Sequence, residues 1–445
     1  MPRLRYKQLV AAIAAEIQSG KLAPGTRLPT HRQLASAHGL ALVTASRVYA
    51  ELQAMGLVIG ETGRGTFVRE VSLPPGLGID QQAAADDMVD LNFNYPSLPE
   101  QAGLLRAALS RLAASGDLAA LLRYQPHGGR MHERAAVATH LARRGLAVGA
   151  AQVLIVNGAQ HGMATTALAL LKPGDVVATD ALTYPGIKVL ADSLGLELAA
   201  IHAAGEGPDL EALERLCRRR KVRAAYVQPT VHNPLGWVMP LPQRHQLAAL
   251  ARRHGLLLME DAPYAYLQEN APAPLAALAP ELTVHISSFS KSVATGLRVG
   301  FIAAPRDWIP RLERAIRATT WNTPGVMTAI ACNWLEDGTI HRLEAQKRRD
   351  ALERQAIAAK VFQGFHHLGH PASYFIWLPL AGDIRTDGVV QELLQQRISV
   401  STAEPFATTA QVPHALRIAL GSVELNALGP ALTRVKHTIE DHMYR

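Results

Sequence analysis

The chain has 445 residues and a mass of 47.9 kDa, which predicts about three folding units at roughly 150 residues each. Hydrophobic residues make up 48% and charged residues 18%, and this composition excludes a mainly disordered protein. The formal net charge is +8, of which residues 1–70 alone carry +5. A basic segment ahead of a nearly neutral remainder predicts a polyanion-binding module joined to a different kind of domain.

Cysteine content and hydropathy argue against a disulfide-rich, secreted or membrane-bound protein. Cys217 and Cys332 are the only cysteines, too few for a disulfide framework or a Cys-rich metal site, so we expect a reducing cytoplasm and no metal. Glu16 interrupts the apolar stretch 9–15, and no apolar run approaches the ~18 residues of a membrane helix. We therefore expect neither a signal peptide nor contact with a membrane.

The first seventy residues have the pattern of three helices and a hairpin. Helical spacing of apolar residues covers 6–19, Thr30 is placed to cap a second helix, and a third helix is predicted over 42–54. Strand-like runs at 57–59 and 66–68 flank a glycine-rich turn. This order predicts a winged helix-turn-helix, whose third helix enters the major groove of double-stranded DNA.

This segment resembles the N-terminal domain of GntR-type regulators. The matching motifs are Pro24-Gly25-Thr26-Arg27-Leu28-Pro29-Thr30, Gln33-Leu34-Ala35, Tyr49-Ala50-Glu51-Leu52 and Gly63-Arg64-Gly65-Thr66-Phe67-Val68. The family's polar Ser-Arg-Asn/Thr-Thr run is replaced here by Ala41-Leu42-Val43-Thr44. We expect the DNA contacts to come from Arg32, Thr44, Ser46, Arg47 and Arg64. A winged helix used for protein contact is the alternative.

Residues 71–90 are predicted to be a linker. They lack periodicity and contain Pro74-Pro75-Gly76. A coil of about 20 residues spans roughly 25 Å. Such a tether allows two DNA-binding heads to be placed differently on one body.

The remainder of the chain alternates buried strand patterns with amphipathic helices. The strand-like runs are Val153–Val156, Val176–Thr179, Leu198–Ile201, Ala224–Gln228, Leu256–Glu260, Val284–Ser287 and Val299–Ala303. This alternation predicts an α/β fold with a mostly parallel seven-stranded sheet. Ligands of such sheets bind at the carboxyl ends of the strands.

Three polar motifs follow predicted strands. Residues 157–162 (Asn-Gly-Ala-Gln-His-Gly) open a helix, where backbone N–H groups favour an anion. Asp261 ends an apolar run, where a carboxylate could hold a ring nitrogen protonated or simply cap a helix. Lys291 follows hydroxyl residues and precedes Arg298 by seven positions, which makes it a candidate Schiff-base amine.

Together these motifs resemble the pyridoxal-phosphate (PLP) enzymes of fold type I, the aspartate aminotransferase-like group. The resemblance implies that Lys291 forms the internal aldimine with PLP. It also implies that Ser288 and Arg298 hold the phosphate, together with the backbone of Ala159 and Gln160.

The same resemblance assigns the other cofactor contacts. Asp261 is expected to pair with the pyridinium nitrogen, Asn233 and Tyr264 to bond the phenolic oxygen, and Tyr184 to stack on the ring. His161 and His232 replace residues more usual in the family and receive no predicted role.

Two further residues are assigned through the resemblance. Tyr124 matches the tyrosine that reaches the phosphate of the partner subunit in a head-to-tail homodimer, and Arg417 matches the arginine that takes a substrate carboxylate. Core aromatics and an ordinary surface charge are the alternatives for Tyr124, Tyr184 and Arg417.

The domain order resembles the MocR group of GntR-type regulators. We expect a winged helix-turn-helix over 1–70 and an aminotransferase-like domain over 91–445, with a large lobe of about 125–320 and a small lobe of about 91–124 and 321–445. The resemblance implies a regulator in the bacterial cytoplasm that senses an amine, an amino acid or PLP through aldimine chemistry at Lys291. The alternatives are a working PLP-dependent aminotransferase carrying a DNA-binding domain, and a DNA-binding protein with a degenerate dimerisation body.

One prediction follows for the wing. Arg64→Ala is expected to weaken DNA binding and to lower its salt dependence by about one released counterion, since each phosphate contact contributes about one to that slope. Measuring the affinity across a salt series checks this, and an unchanged slope would mean that Arg64 contacts no phosphate.

Overall fold

The computed structural model describes residues 2–18, 21–22, 25–55, 57–61, 65–68, 88–115, 118–381 and 384–443. Arg64 and most of the predicted linker lie outside them. Over these residues the helices are α1 (Pro2–Gln18), α2 (His31–His38), α3 (Leu42–Ala54), α4 (Gln101–Ser115), α5 (Leu118–Leu121), α6 (Met131–Ala142), α7 (Ala159–Leu170), α8 (Pro185–Leu194), α9 (Leu210–Arg219), α10 (Leu241–His254), α11 (Leu275–Leu278), α12 (Phe289–Ser292), α13 (Ile309–Thr319), α14 (Gly325–Glu336), α15 (Thr339–Val361), α16 (Thr386–Gln395) and α17 (Leu425–Met443).

The strands are β1 (Val58–Glu61), β2 (Gly65–Val68), β3 (Val89–Leu91), β4 (Val153–Val156), β5 (Val176–Asp180), β6 (Glu197–Ile201), β7 (Val222–Val227), β8 (Leu257–Asp261), β9 (Thr283–Ser288), β10 (Gly300–Ala303), β11 (Phe375–Pro379), β12 (Ile398–Thr402) and β13 (Ala415–Ala419). Within the described part of the chain, no helix is long and apolar enough to cross a membrane.

The head, α1 to β2, is the predicted winged helix. Thr30 caps α2: its side chain accepts from the Gln33 N–H, and the Gln33 side chain in turn accepts from the Thr30 N–H. Gly39 ends α2 in the left-handed conformation at φ 60°, which glycine adopts without strain. The third helix buries Ala45, Val48 and Leu52 against the other helices, and β1 and β2 pair as an antiparallel hairpin.

The large sheet has the strand order β4-β10-β9-β8-β7-β5-β6. All seven strands lie where the sequence predicts them. Its neighbours pair in parallel except β10, which runs antiparallel to both β4 and β9. Every residue of β4, β5, β8 and β9 is buried, as expected for a sheet covered on both faces. The carboxyl ends of β8 and β9 bring Asp261 and Ser288 to one edge.

A second sheet of four strands forms the core of the small lobe. Its order is β11-β13-β12-β3, with β3 parallel to β12. Strand β3 begins at Val89, so the predicted linker of 71–90 ends earlier than expected. The segment next to the linker is therefore part of the body's small sheet.

The boundary between the lobes differs from the expectation. The sequence assigned 91–124 and 321–445 to the small lobe, but α4 and α14 pack against the large sheet. Ala108 of α4 and Ile330 of α14 belong to the same buried cluster as Phe301 of β10. Their apolar faces fit this surface, and periodicity along a helix does not reveal which lobe it covers.

Candidate cofactor site

One cavity of about 220 Å³ lies at the carboxyl edge of the large sheet. It gathers ten predicted residues, namely Ala159, Gln160, Tyr184, Asn233, Asp261, Tyr264, Ser288, Lys291, Arg298 and Arg417. It is also lined by Asn92, Phe93, Asn94 and Ser290, and by three residues that the sequence did not single out, namely Gln228, Ser401 and Phe406. Tyr124 does not line this cavity: its side chain is 85% exposed and lies 5.3 Å from the ring of Trp321.

Five buried polar atoms of the lining have no hydrogen-bond partner within the described chain. They are Asn94 Nδ2, Gln160 Oε1, Asn233 Oδ1, Asp261 Oδ1 and Arg417 Nε. An unsatisfied buried polar group costs about 1–3 kcal/mol. Such a concentration of unmet donors and acceptors in one cavity indicates a preformed site for a polar ligand.

Asp261 is fixed by two neighbours and leaves one oxygen unpaired. Its Oδ2 accepts from Tyr226 OH at 2.6 Å and from Gln228 Nε2 at 2.9 Å. Burial raises the pKa of Asp261 to about 6, against the opposing effect of these hydrogen bonds. At neutral pH the carboxylate is therefore ionised and offers Oδ1 to a protonated ring nitrogen.

Tyr226 and Gln228 were missed at the sequence level. They stand two positions apart, at and just beyond the end of β7, and so share one face of that strand. This spacing next to a predicted acidic strand end was a usable signal, but only the pairing of β7 with β8 shows that they meet Asp261.

The opposite end of the cavity is suited to a phosphate. Helix α7 begins at Ala159 after Gly158, whose φ is 83°. A Cβ at Gly158 would lie 2.5 Å from the Arg298 guanidinium, so glycine is required for this approach. Arg298, itself at φ 50°, donates to Asn157 O at 3.2 Å and to Ser290 Oγ at 3.4 Å. A guanidinium beside a helix N-terminus favours a dianion.

His161, which the sequence left without a role, supports this loop. Its Nδ1 accepts from the Asn157 N–H at 3.0 Å, and its Nε2 lies 2.7 Å from Thr319 Oγ1. Burial and the Arg298 charge lower the pKa of His161 to about 4. The ring is therefore neutral and acts as an acceptor for the backbone.

His232 occupies a different place. It is fully buried, stacks on Trp237 with ring centroids 4.2 Å apart, and brings Nε2 within 3.4 Å of Asp180 Oδ2. It therefore supports the segment leading to Asn233 from outside the cavity.

The side-chain amine and the backbone carbonyl of Lys291 are bound by different residues. Its Nζ donates to Asn94 O at 3.0 Å. Its carbonyl accepts from Tyr266 OH at 3.0 Å and from Lys347 Nζ at 3.1 Å. The side-chain amine thus stays at the cavity while other residues fix the main chain.

Lys347, next to the cavity, is another residue that the sequence did not reveal. It is completely buried in α15, and its Nζ also donates to Pro96 O at 2.8 Å and Val293 O at 2.5 Å. Burial, followed by the charge of Lys291, lowers the pKa of Lys347 to about 7. A single buried amine therefore joins the loop that carries Lys291 to the segment that follows β3.

Arg417 lies on β13, in the middle of the small sheet. Its side chain is buried between the rings of Phe375 and Phe406, whose centroids lie 5.1 and 5.9 Å from the guanidinium carbon. One terminal nitrogen donates to Asn92 O at 2.7 Å, while Nε has no partner. This arrangement fits a carboxylate, which can take the unpaired nitrogen.

These residues fit pyridoxal phosphate. Asp261 faces the place for a ring nitrogen, Arg298 and the start of α7 suit the phosphate, and Lys291 supplies the primary amine. When bound, PLP supplies an aldehyde carbon for bonding to amines and an electron-accepting ring.

The predicted DNA-binding residues occupy two kinds of position in the head. Arg32 and Arg47 are exposed, and the Arg47 guanidinium lies 4.8 Å from the centre of the Tyr6 ring. Thr44 and Ser46 are half-buried, and Ser46 Oγ is 2.9 Å from a nitrogen of His31.

Asp261→Asn is expected to stabilise the cofactor-free protein at pH 7 and to weaken PLP binding. The folded pKa of about 6 lies above the unfolded value of about 4, so ionisation at pH 7 costs about 3 kcal/mol. This cost falls to zero as the pH drops from 6 to 4. Unfolding of the cofactor-free protein at pH 7 and pH 4.5 measures the change in stability, and a PLP titration measures the change in cofactor affinity.

Asp192→Asn, on the exposed face of α8, serves as the control and should change neither property. If Asp261→Asn were no more stable than the natural protein at pH 7, both without cofactor, the expected cost of the buried charge would be contradicted.

Lys347→Met tests the buried ammonium. Between pH 7 and about 10 the folded state holds a neutral amine while the unfolded chain holds an ammonium, so the unfolded state binds more protons. The stability of the natural protein relative to Lys347→Met should therefore rise with pH, by about 1.4 kcal/mol per unit. Unfolding from pH 7 to pH 9 measures this slope. For Lys172→Met, at an exposed position, the stability difference from the natural protein should not change with pH. The same constant difference for Lys347→Met would refute the shifted pKa of Lys347.

Two family models match the chain. Residues 5–68 match "Bacterial regulatory proteins, gntR family", and residues 86–435 match "Aminotransferase class I and II". The two matches fall on the head and on the body.

Relatives with both regions align over nearly the full length. The uncharacterized HTH-type transcriptional regulator YdeF of Bacillus subtilis is 27% identical, and the alignment covers 98% of this chain and 94% of YdeF. The HTH-type transcriptional regulator TauR of Rhodobacter capsulatus is 25% identical and covers 98% of this chain and 96% of its own.

The body also resembles enzymes. The 2-aminoadipate transaminase of Thermus thermophilus is 26% identical over 78% of this chain and 88% of its own. The solved structure of LysN, the alpha-aminoadipate aminotransferase of Thermus thermophilus, shares the fold with a TM-score of 0.75 at 24% identity, over 80% of this chain and 93% of that one. The chain therefore belongs to the aminotransferase class I and II family, whose members of this fold use PLP, and its GntR-type head gives it the architecture of a MocR-type transcriptional regulator.

Proposed function

We propose that the protein regulates transcription by sensing an amine, an amino acid or PLP itself through aldimine chemistry at Lys291. The observation that carries this proposal is the set of unpaired polar atoms in a cofactor cavity on a chain whose head binds DNA. Asp261 Oδ1 and Arg417 Nε are both buried and unmatched. A body that served only as a dimerisation platform would have no reason to retain them.

The segment after β3 gives this sensing a physical route. Asn94 O is bound by Lys291 Nζ, and Asn92 O is bound by Arg417. An effector amine that takes the place of Lys291 on the cofactor releases the lysine amine, which can then donate to Asn94 O as it does in the cofactor-free chain. An effector carboxylate on Arg417 competes with the second contact. Because β3 directly follows the linker, a change at Asn92 and Asn94 alters where the tether leaves the body. The heads can then be repositioned on DNA half-sites.

A head-to-tail homodimer completes the proposal. Leu122 is 89% exposed and Tyr124 85% exposed, and the partly exposed Trp321 lies beside Tyr124. Apolar and aromatic side chains exposed together favour a protein interface. In the proposed dimer, Tyr124 reaches the phosphate of the partner's cofactor. Cys217 and Cys332 are both free thiols, which agrees with the proposed bacterial cytoplasm.

A catalytically active aminotransferase is the second candidate. The likeness to 2-aminoadipate transaminase supports it, as does a cavity that has partners for the ring nitrogen, phosphate and carboxylate. A regulator needs effector binding and amine exchange, whereas full turnover also needs a second half-reaction with a keto acid.

Footprinting of DNA upstream of the protein's own gene tests regulation. PLP-loaded protein should protect a site, and the pattern should change with one member of a panel of the twenty L-amino acids and simple amines. Lys291→Ala should keep its DNA affinity but lose both the visible-edge absorption band of the loaded protein and the effector response. Arg417→Met should keep the band and lose the response to carboxylate-bearing effectors.

The same panel separates the two candidates. Turnover to keto acids at ~1 per second or faster would favour the aminotransferase. No protected DNA, with or without PLP, would refute the regulator. Persistence of the absorption band in Lys291→Ala would refute the role of that lysine.

A further inference from the structure

The helix that faces DNA begins with two exposed apolar side chains. Val43 is 80% exposed and Leu42 48% exposed, and both lie in the first turn of α3. Single exposed apolar residues are common on protein surfaces. The position of Leu42 and Val43 in the fold is what points to a function for them.

Both side chains lie at the end of α3 that reads bases. The helix buries Ala45, Val48 and Leu52 in the core of the head, while Val43 and Arg47, one turn apart, are exposed on the outer face. In a helix-turn-helix the first residues of the recognition helix contact base edges in the major groove. Leu42 and Val43 therefore occupy reading positions.

Their chemistry restricts what they can read. Neither side chain donates or accepts a hydrogen bond. Among the unmodified bases only thymine presents an apolar group in the major groove, the C5-methyl. Pressing a Leu or Val against a polar base edge instead would remove water from that edge without replacing its hydrogen bonds.

Arginines near the start of α3 attract the DNA backbone but do not distinguish one base from another. Arg32 on α2 and Arg47 on α3 are exposed, and the head carries most of the chain's net positive charge. Contacts from such residues to phosphates position a protein on DNA but do not specify sequence. The apolar pair is therefore suited to base discrimination.

We propose that Leu42 and Val43 read the 5-methyl groups of thymine in the major groove, so that each half-site carries thymine opposite the start of α3. The inference rests on the DNA binding within the proposed function and is independent of which effector the body senses.

Replacement of single thymines by deoxyuridine tests this directly, because it removes the methyl and leaves every hydrogen-bonding group in place. The full-length, PLP-loaded protein is titrated against its footprinted duplex and a series with one replacement each. One or two positions per half-site should lose affinity about fourfold, the value of one buried methyl group. Replacements outside the footprint should have no effect.

Variants at Val43 test whether this side chain causes the affinity loss seen with deoxyuridine. Val43→Ser should bind the thymine duplex more weakly and show no further loss at one of the sensitive positions, as coupled groups do in a double-mutant cycle. Val43→Thr, matched in shape and retaining one methyl, should fall in between. Arg32→Ala should weaken the thymine and uracil duplexes equally.

The outcomes are distinct. Equal affinity for all thymine and uracil duplexes would overturn this inference alone, as would a full deoxyuridine effect in both Val43→Ser and a Leu42→Ser variant. Absence of binding to any duplex would overturn it together with the proposed regulator, and would favour a head that contacts protein.

Discussion

The short segment from Asn92 to Pro96 is bound from both lobes, and the geometry of the cofactor cavity depends on these contacts. Lys291 of the large lobe and Lys347 of α15 hold Asn94 and Pro96 through their carbonyl oxygens, and Arg417 of the small lobe holds Asn92 in the same way. Three basic side chains thus donate to one stretch of main chain. Backbone carbonyls are strong acceptors that must be satisfied when buried, and these three contacts satisfy the carbonyls of Asn92, Asn94 and Pro96.

Burial of charge is the cost of this arrangement. Desolvation raises the pKa of the Asp261 carboxyl and lowers that of the Lys347 amine. Both shifts show that burial disfavours the charged forms of these two groups relative to water. The unpaired oxygen of Asp261 and the unpaired nitrogen of Arg417 are the same kind of cost. A bound polar molecule offsets it, which explains why such groups concentrate at functional sites.

The net charge of the chain reflects two separate tasks. The exposed arginines of the head face solvent, as required for phosphates that approach from outside. In the body, Arg417 is buried between two aromatic rings, where one carboxylate fits and a polyanion does not. Strand β3, which follows the segment predicted to be the linker, enters the small sheet just before Asn92.

Sequence patterns alone were enough to predict the winged head and the seven strands of the large sheet, and the resemblance to PLP enzymes of fold type I assigned ten residues of the cavity. These features are local: helix caps, apolar periodicity and polar residues at strand ends are written within short stretches of chain. Tyr226, Gln228 and Lys347 were not predicted, and neither was the packing of α4 and α14 on the large lobe. These features depend on strand pairing and on the docking of the two lobes between residues distant in sequence, so local patterns could not predict them. A lysine in α15 has no local feature that reveals which distant carbonyls its ammonium will meet.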